Sequence, residues 1–533
     1  MITPTADGTR TPVPTLPSDP TSEGTLARSA LWLMGGKTVA FVLMLALPLL
    51  LVRRLSQTDF GLYKQVFLLV STAMTVLPLG FVMSAFYFLP RRPDKQSRVA
   101  FNILLFYVIV GAGAGLALLW QPTILQVMFH DPTLARLAGP IAILVFISVT
   151  FSFLDLIALA RADVRTATVL IVIMNLGRAA LLLAAAFAFG SFEALVYAVM
   201  LQGVLQAALL IWYLSTRFQG FWRGPDWSVM RAQLGYALPL GTAGILTVIQ
   251  GDLHNYFVAH YFDAASYAIY AVGCFQLPFL AILSDSVGSV MIPAIGRLEL
   301  HGKPEDIVRL SARLMRVLAA LYFPIYVFLL VAGREFIVVL FTTRYVDSWP
   351  IFAINLTLIP LSILTSVSDP VLRAYPAYIP WLLRLRLVLL GVLTLGAWLA
   401  TSNLLMLGAI VVMVAVYAAD RVVLAVVLGR ALKVSWRHLG LLRDVGKLSV
   451  AAGVAGLATA AAHVAVAGAT PLAVLATSAA VFAAVYLLSV LALGVPTPTE
   501  RMAAREQVGR VLQRCGLRRS PPGLRGIPGE EAP

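Results

Sequence analysis

Charge is what this 533-residue sequence is short of. Only 12% of its residues are charged against 60% hydrophobic, and mean hydropathy is +0.88. That excludes a soluble globular domain and reads as an all-α polytopic membrane protein. Acids are scarcer than bases, 25 against 40, and the formal net charge is +15. A nucleic-acid partner is not expected, because the bases sit in short loops on one side, as topology signals do. The two cysteines, Cys274 and Cys515, fall in a span and a tail, so neither a disulfide nor a metal site is expected. The six histidines form no HxxxH or HxH cluster, and no GxxxxGK[ST] loop is present. No cofactor is therefore expected. Most loops on the less basic side are under about ten residues, too short for a catalytic domain, which leaves transport rather than enzymatic work. Residues 1–28 lack the apolar run of a signal peptide and read as a disordered cytoplasmic tail.

What is there is organised around Ser29 to Arg92. Ser29 to Val52 is long enough to cross a bilayer, since about 20 residues at 1.5 Å each span about 30 Å. A polar turn from Arg53 to Asp59 follows, and Gly61, Leu62 and Tyr63 open a second span closing at Leu89-Pro90-Arg91-Arg92. The turn Leu55 to Tyr63 is echoed by Phe262 to Tyr270, and the closing Leu89-Pro90-Arg91 by Ile292-Pro293 with Arg297 a turn later. Tyr63 to Pro90 is 27 residues and Tyr270 to Pro293 is 23, a difference of about one helical turn. A repeated membrane hairpin is what an internally duplicated transporter shows.

Fourteen spans are expected, at 29–52, 62–89, 99–120, 137–159, 167–189, 193–214, 234–258, 267–292, 315–332, 350–368, 380–400, 404–428, 448–468 and 471–493. Pro360, Pro370, Pro376 and Pro380 interrupt the tenth and eleventh. The break at 215–233 divides an N-lobe, 29–214, from a C-lobe, 234–428; a cytoplasmic loop at 429–447 leads to two additional spans within 448–493, then to a basic cytoplasmic tail, 494–533. The additional spans are rich in Ala, Val, Leu and Gly, which permits close helix contact, and His463 there reads as packed or bridging rather than as a ligand. Placing the more basic loops inside puts both termini in the cytoplasm. In the tail, Glu500 to Arg514 has the pattern of an amphipathic helix suited to an anionic leaflet.

Charges inside spans are the informative set, because each costs at least about 2.5–3.5 kcal/mol in hydrocarbon. They include Lys37 in span one, Arg178 mid-way along span five, Asp252 in span seven and Asp285 in span eight, with Lys64 opening span two. Asp420-Arg421 reads as a terminal pair, and Asp155 and Asp369 as helix-end residues. Gln250 and His254, four apart, share a helix face, whereas Asp252 and His254 do not. Lys37, Arg178, Lys64, Gln250, Asp252, His254 and Asp285 are the expected cavity residues. Spans one, two, seven and eight are expected to share that cavity, with Arg91, Arg92 and Arg297 flanking its cytoplasmic entrance.

The run Leu-Ser-x-x-Asp-Phe-Gly-Leu-Tyr, its copy after span seven, Leu-Gly-Tyr-Ala-Leu-Pro at 234–239 and Val-Met-Ile-Pro-Ala-Ile at 290–295 resemble the polysaccharide transporter family. These are the oligosaccharide-lipid flippases, O-antigen flippases among them, of the multidrug/oligosaccharidyl-lipid/polysaccharide exporter (MOP) superfamily. The likeness covers residues 29 to about 430 and extends by helix count to 493. It implies two six-helix lobes plus two helices, and alternating access that carries an undecaprenyl-pyrophosphate-linked oligosaccharide to the periplasmic leaflet for surface polysaccharide. Its implied partners are that lipid-linked oligosaccharide, membrane lipids, and the polymerase and chain-length proteins of the same pathway. Acids rather than bases in spans seven and eight depart from a purely anion-binding cavity and leave H+ or Na+ coupling open. A cation-coupled drug exporter of the same superfamily is the alternative; a membrane-embedded polymerase or glycosyltransferase is disfavoured by the short loops.

Overall fold

The computed structural model describes residues 20–403, 406–466 and 468–496. Most of both expected tails, with the stretch Glu500 to Arg514, falls outside them. Among the described residues the chain is helical with no strand. The first helix, α1 (Pro20–Arg54), begins nine residues before the expected span, so 20–28 is helical rather than tail. Pro20 suits a first turn, where its missing N–H costs nothing. There follow α2 (Gln57–Val76), α3 (Met83–Arg91), α4 (Gln96–Trp120), α5 (Thr123–Phe129), α6 (Pro132–Arg136), α7 (Ala138–Phe151) and α8 (Leu154–Ala160). Next come α9 (Val164–Ala188), α10 (Phe192–Arg217), α11 (Trp227–Tyr261) and α12 (Ala264–Gly273). The remainder are α13 (Pro278–Leu300), α14 (Pro304–Phe341), α15 (Trp349–Asn355), α16 (Leu358–Ala374), α17 (Ile379–Ser402), α18 (Met406–Ala431), α19 (Arg443–Ala465) and α20 (Pro471–Ala492).

By length and composition eleven of the described helices can each cross a membrane, thirteen if two bent pairs count as one span apiece. One bent pair is α11, turned by 52° between Pro239 and Gly244; the other is α15 with α16, turned by 40°. The expected second span is not among the thirteen. It is broken at Leu77–Val82, where Pro78 interrupts the ladder and Leu79 and Gly80 take left-handed φ of 52° and 65°. Fourteen spans are thus not counted.

The helices form two compact units. The first holds residues up to Ala271 with Trp398–Leu404; the second holds Val272–Ala397 and the rest. In the first, α1 lies along α9, α4 along α7, and α10 against both α7 and α9. The seventh span groups with this unit because α11 packs on α2, α3, α4 and α5. A Cβ on Gly61 would overlap the Ala264 carbonyl, and one on Gly241 would overlap that of Leu79. A buried polar network fixes the base of α11. Asn102 Nδ2 donates to Gln233 Oε1 at 3.1 Å, and Gln233 Nε2 donates to Ser84 Oγ at 3.0 Å. Just before the helix, Lys95 pairs with Asp226 at 3.0 Å and Arg98 donates to the carbonyls of Arg223 and Gly224.

In the second unit α16 packs on α13, α14 and α18 around Met291, Ile295, Ile307, Val367, Val371 and Leu424. The two C-terminal helices lie against α14: Gly456 of α19 meets Val327, and the Tyr486 hydroxyl donates to the Ala320 carbonyl at 3.0 Å. Arg316 ties the ends together through Asp444 at 3.2 Å and the Val495 carbonyl at 2.9 Å. His463 bridges α19 to Glu335 of α14 at 3.1 Å. Arg421 is buried between Asp369, at 3.2 Å, and Asp420, at 3.5 Å.

Candidate functional site

Arg178 stands on the wall of a cavity of about 450 Å3 inside the first unit. Four stretches build it. The α9 turns Ile171, Met174, Asn175 and Arg178 toward it, one helical face at i, i+3, i+4 and i+7 spacing. The α2 supplies Phe67, Ser71, Met74 and Thr75, the α7–α8 stretch Ser148 and Asp155, and α10 Gln202 and Gln206. Gly203 lets α10 approach, because a Cβ there would overlap Ile147.

The guanidinium of Arg178 lies 4.9 Å from the centre of the Phe67 ring, and Phe67 stacks on Tyr63 at 6.0 Å. Tyr63 and Arg178 also line a narrower space between α2, α9 and α10. Among the described residues no carboxylate lies within ion-pair distance of Arg178. Tyr63 is also a side-chain hydrogen-bond neighbour of the half-buried guanidinium, so two rings of α2 hold Arg178 on one side while it lines the cavity on the other. The polar side chains around it are aligned by the backbone. Gln202 Nε2 donates to Gln206 Oε1 at 3.2 Å, Gln206 Nε2 to the Phe151 carbonyl at 2.8 Å, and Asn175 Nδ2 to the Ile171 carbonyl at 2.8 Å.

The other expected residues are dispersed. The Lys37 side chain is outside the described residues. Lys64, half-buried, lies over the Phe60 ring at 5.5 Å. On α11, Gln250 and Asp252 are half-buried, and Asp252 and Tyr256 turn toward Thr72. His254 is fully engaged inside the protein, its Nδ1 2.6 Å from the Tyr270 hydroxyl. Arg91 and Arg92 are exposed at the end of α3, with Arg91 4.0 Å over the Tyr87 ring. Asp285 and Arg297 are exposed on α13 of the second unit.

Sequence reasoning missed Asp155, Asn175, Gln202 and Gln206. Asp155 reads as a helix-end residue, yet the kink between α7 and α8 carries it to the cavity. Asn175 with Arg178 and Gln202 with Gln206, at i, i+3 and i, i+4 in otherwise apolar spans, are the signal that would find the rest.

Residues 50–350 match the sequence model of a family described as polysaccharide biosynthesis protein. The chain belongs to the polysaccharide biosynthesis protein family. No curated protein matches it in sequence. Its fold is similar to that of the lipid II flippase MurJ in an inward closed conformation, with a TM-score of 0.66 and 11% identity over 86% of this chain and 98% of that one. A MOP superfamily transporter from Pyrococcus furiosus aligns with a TM-score of 0.52 and 15% identity, over 76% and 95% of the two chains. A multidrug resistance MATE family transporter in an outward-facing conformation gives 0.51 and 14%, again over 76% and 95%. At these identities the likeness is one of fold: the family member described here is a multi-pass, all-α protein folded like these three structures.

Proposed function

We propose that this chain is a flippase that moves an undecaprenyl-pyrophosphate-linked oligosaccharide from the cytoplasmic to the periplasmic leaflet by alternating access. The observation that carries this is Arg178, a cation midway along an apolar helix and on a cavity wall, with no carboxylate in ion-pair distance among the described residues. A half-buried guanidinium with no described acid in ion-pair distance suits a polyanion that arrives from outside, and its paired donors match phosphate oxygens. About 450 Å3 accommodates a pyrophosphate and its first sugar rather than a whole oligosaccharide. The remaining glycan then belongs in a space beyond this cavity. Lys37, Lys64, Gln250, Asp252, His254 and Asp285 remain proposed cavity residues, and Arg91, Arg92 and Arg297 proposed entrance residues. Membership of a polysaccharide biosynthesis family supports the lipid-linked glycan, and the basic loops support an inner-membrane chain with cytoplasmic termini.

Surface-glycan export and membrane protein level, measured together, test the reading. Arg178→Lys keeps the charge but loses the fork, and is expected to lower export at normal protein level. Normal export by a well-expressed Arg178→Ala protein sinks the proposal. A cation-coupled drug exporter is the second reading, favoured by Asp155 on the same wall. It requires Asp155→Asn to abolish transport while Arg178→Lys is silent.

A further inference from the structure

We infer that His130 and His260 form a clip for a divalent transition-metal ion, separate from the Arg178 cavity. Of the six histidines, these two are brought together edge to face although 130 residues apart. His130 ends α5 in the connection to α6, in left-handed backbone with φ of 49°, and its N–H donates to the Gln126 carbonyl at 2.8 Å. His260 lies in the last turn of α11. Their Nδ1 atoms are 3.2 Å apart, with ring centres 4.4 Å apart and planes at 79°.

That separation is a chelating bite. Two imidazole nitrogens bound at about 2.0–2.1 Å to one tetrahedral ion lie about 3.3–3.4 Å from each other. The Val127 carbonyl is 2.6 Å from His260 Nδ1 and accepts a hydrogen bond from it, so an ion bound here takes the tautomer of His260 that carries its hydrogen on Nε2 and leaves Nδ1 free as a ligand. Imidazole nitrogen selects zinc, nickel or copper over magnesium or calcium. His130 is exposed and His260 half-buried, so a hydrated ion reaches the pair and water completes its coordination.

The charged neighbours do not compete for the pair. Asp131 accepts from the Thr133 N–H at 2.8 Å, and Asp263 accepts from the Ser266 N–H at 3.0 Å. Neither ring has an ion-pair partner among the described residues. The other four histidines are each engaged elsewhere: His254 with Tyr270, His301 with the Arg297 carbonyl, His438 with Ser435 and His463 with Glu335. A bound ion would staple the α5–α6 connection to the end of α11, where α11 already packs on α5.

The test uses full-length protein purified without a histidine tag and stripped with chelator. Titration with zinc chloride is expected to show one site per chain and a raised unfolding temperature. His130→Ala and His260→Ala should each lose both effects, the second read as the zinc-induced rise over each variant's own metal-free unfolding temperature. Copper(II) bound at the site should give an electron paramagnetic resonance spectrum with two nitrogen ligands, falling to one or none in either variant. Absence of zinc binding by the parent overturns the inference. So does binding that survives in both variants, which would place the ion elsewhere.

Discussion

Gly61 lies against the carbonyl of Ala264, so the two copies of the repeated turn touch each other at backbone contact. Gly61 is the glycine of the first copy, and Ala264 begins the helix of the second. Alanine is ordinarily better than glycine inside a helix by about 1 kcal/mol. Here a methyl group would overlap the carbonyl oxygen, and helix backbone cannot yield as a side-chain tip can. Gly61→Ala should therefore lower the unfolding temperature, whereas Gly113→Ala on α4, with open space around it, should leave it unchanged or raise it. Equal behaviour of the two variants would contradict the contact.

Asp226 gives a pH dependence. Hydrogen bonds from the Ser228 hydroxyl, from Lys95 and from the Val229 N–H hold its carboxyl well below the usual carboxylate range. A depressed folded-state value contributes stability that is present above the unfolded pKa, near 4, and lost as pH falls through the folded one. The parent should thus lose thermal stability on acidification below about pH 4. Asp226→Asn should be less stable at neutral pH and show a smaller acid loss. Superimposable pH curves for the two would show that the pair and cap contribute nothing.

Arg421 is 6% exposed between two acids. Removing one partner of a buried pair leaves an uncompensated charge and costs about 3–5 kcal/mol. Arg421→Gln should therefore depress folding yield and unfolding temperature strongly, and Asp420→Asn in the same chain should restore part of the loss. A variant as stable as the parent would show that water already reaches the pair.

The sequence carried the helical class and nearly every span, because an apolar run of about 20 residues leaves a helix as the way to satisfy the backbone in hydrocarbon. The break at Leu77–Val82 was not legible. Pro78 alone does not distinguish a kinked helix from a broken one, and the left-handed pair Leu79-Gly80 depends on Gly241 being close by. Arg178 was legible by its depth, since a cation there needs a reason. Asp155 was not, because only the turn between α7 and α8 aims it at the same cavity. His130 and His260 were beyond reach, as nothing in sequence spacing brings residues 130 apart together.

Gly80 and Gly241 occupy the interruptions of two different helices, and their backbones are in contact. Below that point α11 is clamped by Asn102, Gln233 and Ser84; above it, the Tyr256 hydroxyl reaches the Leu68 carbonyl of α2. Compliance in both helices is therefore concentrated in a few residues at the same height. A change of tilt in one cannot be absorbed locally, because no side chain separates the two bends to cushion it. A side chain at either glycine would press on the backbone of the other interruption, so a substitution at one is felt by both helices.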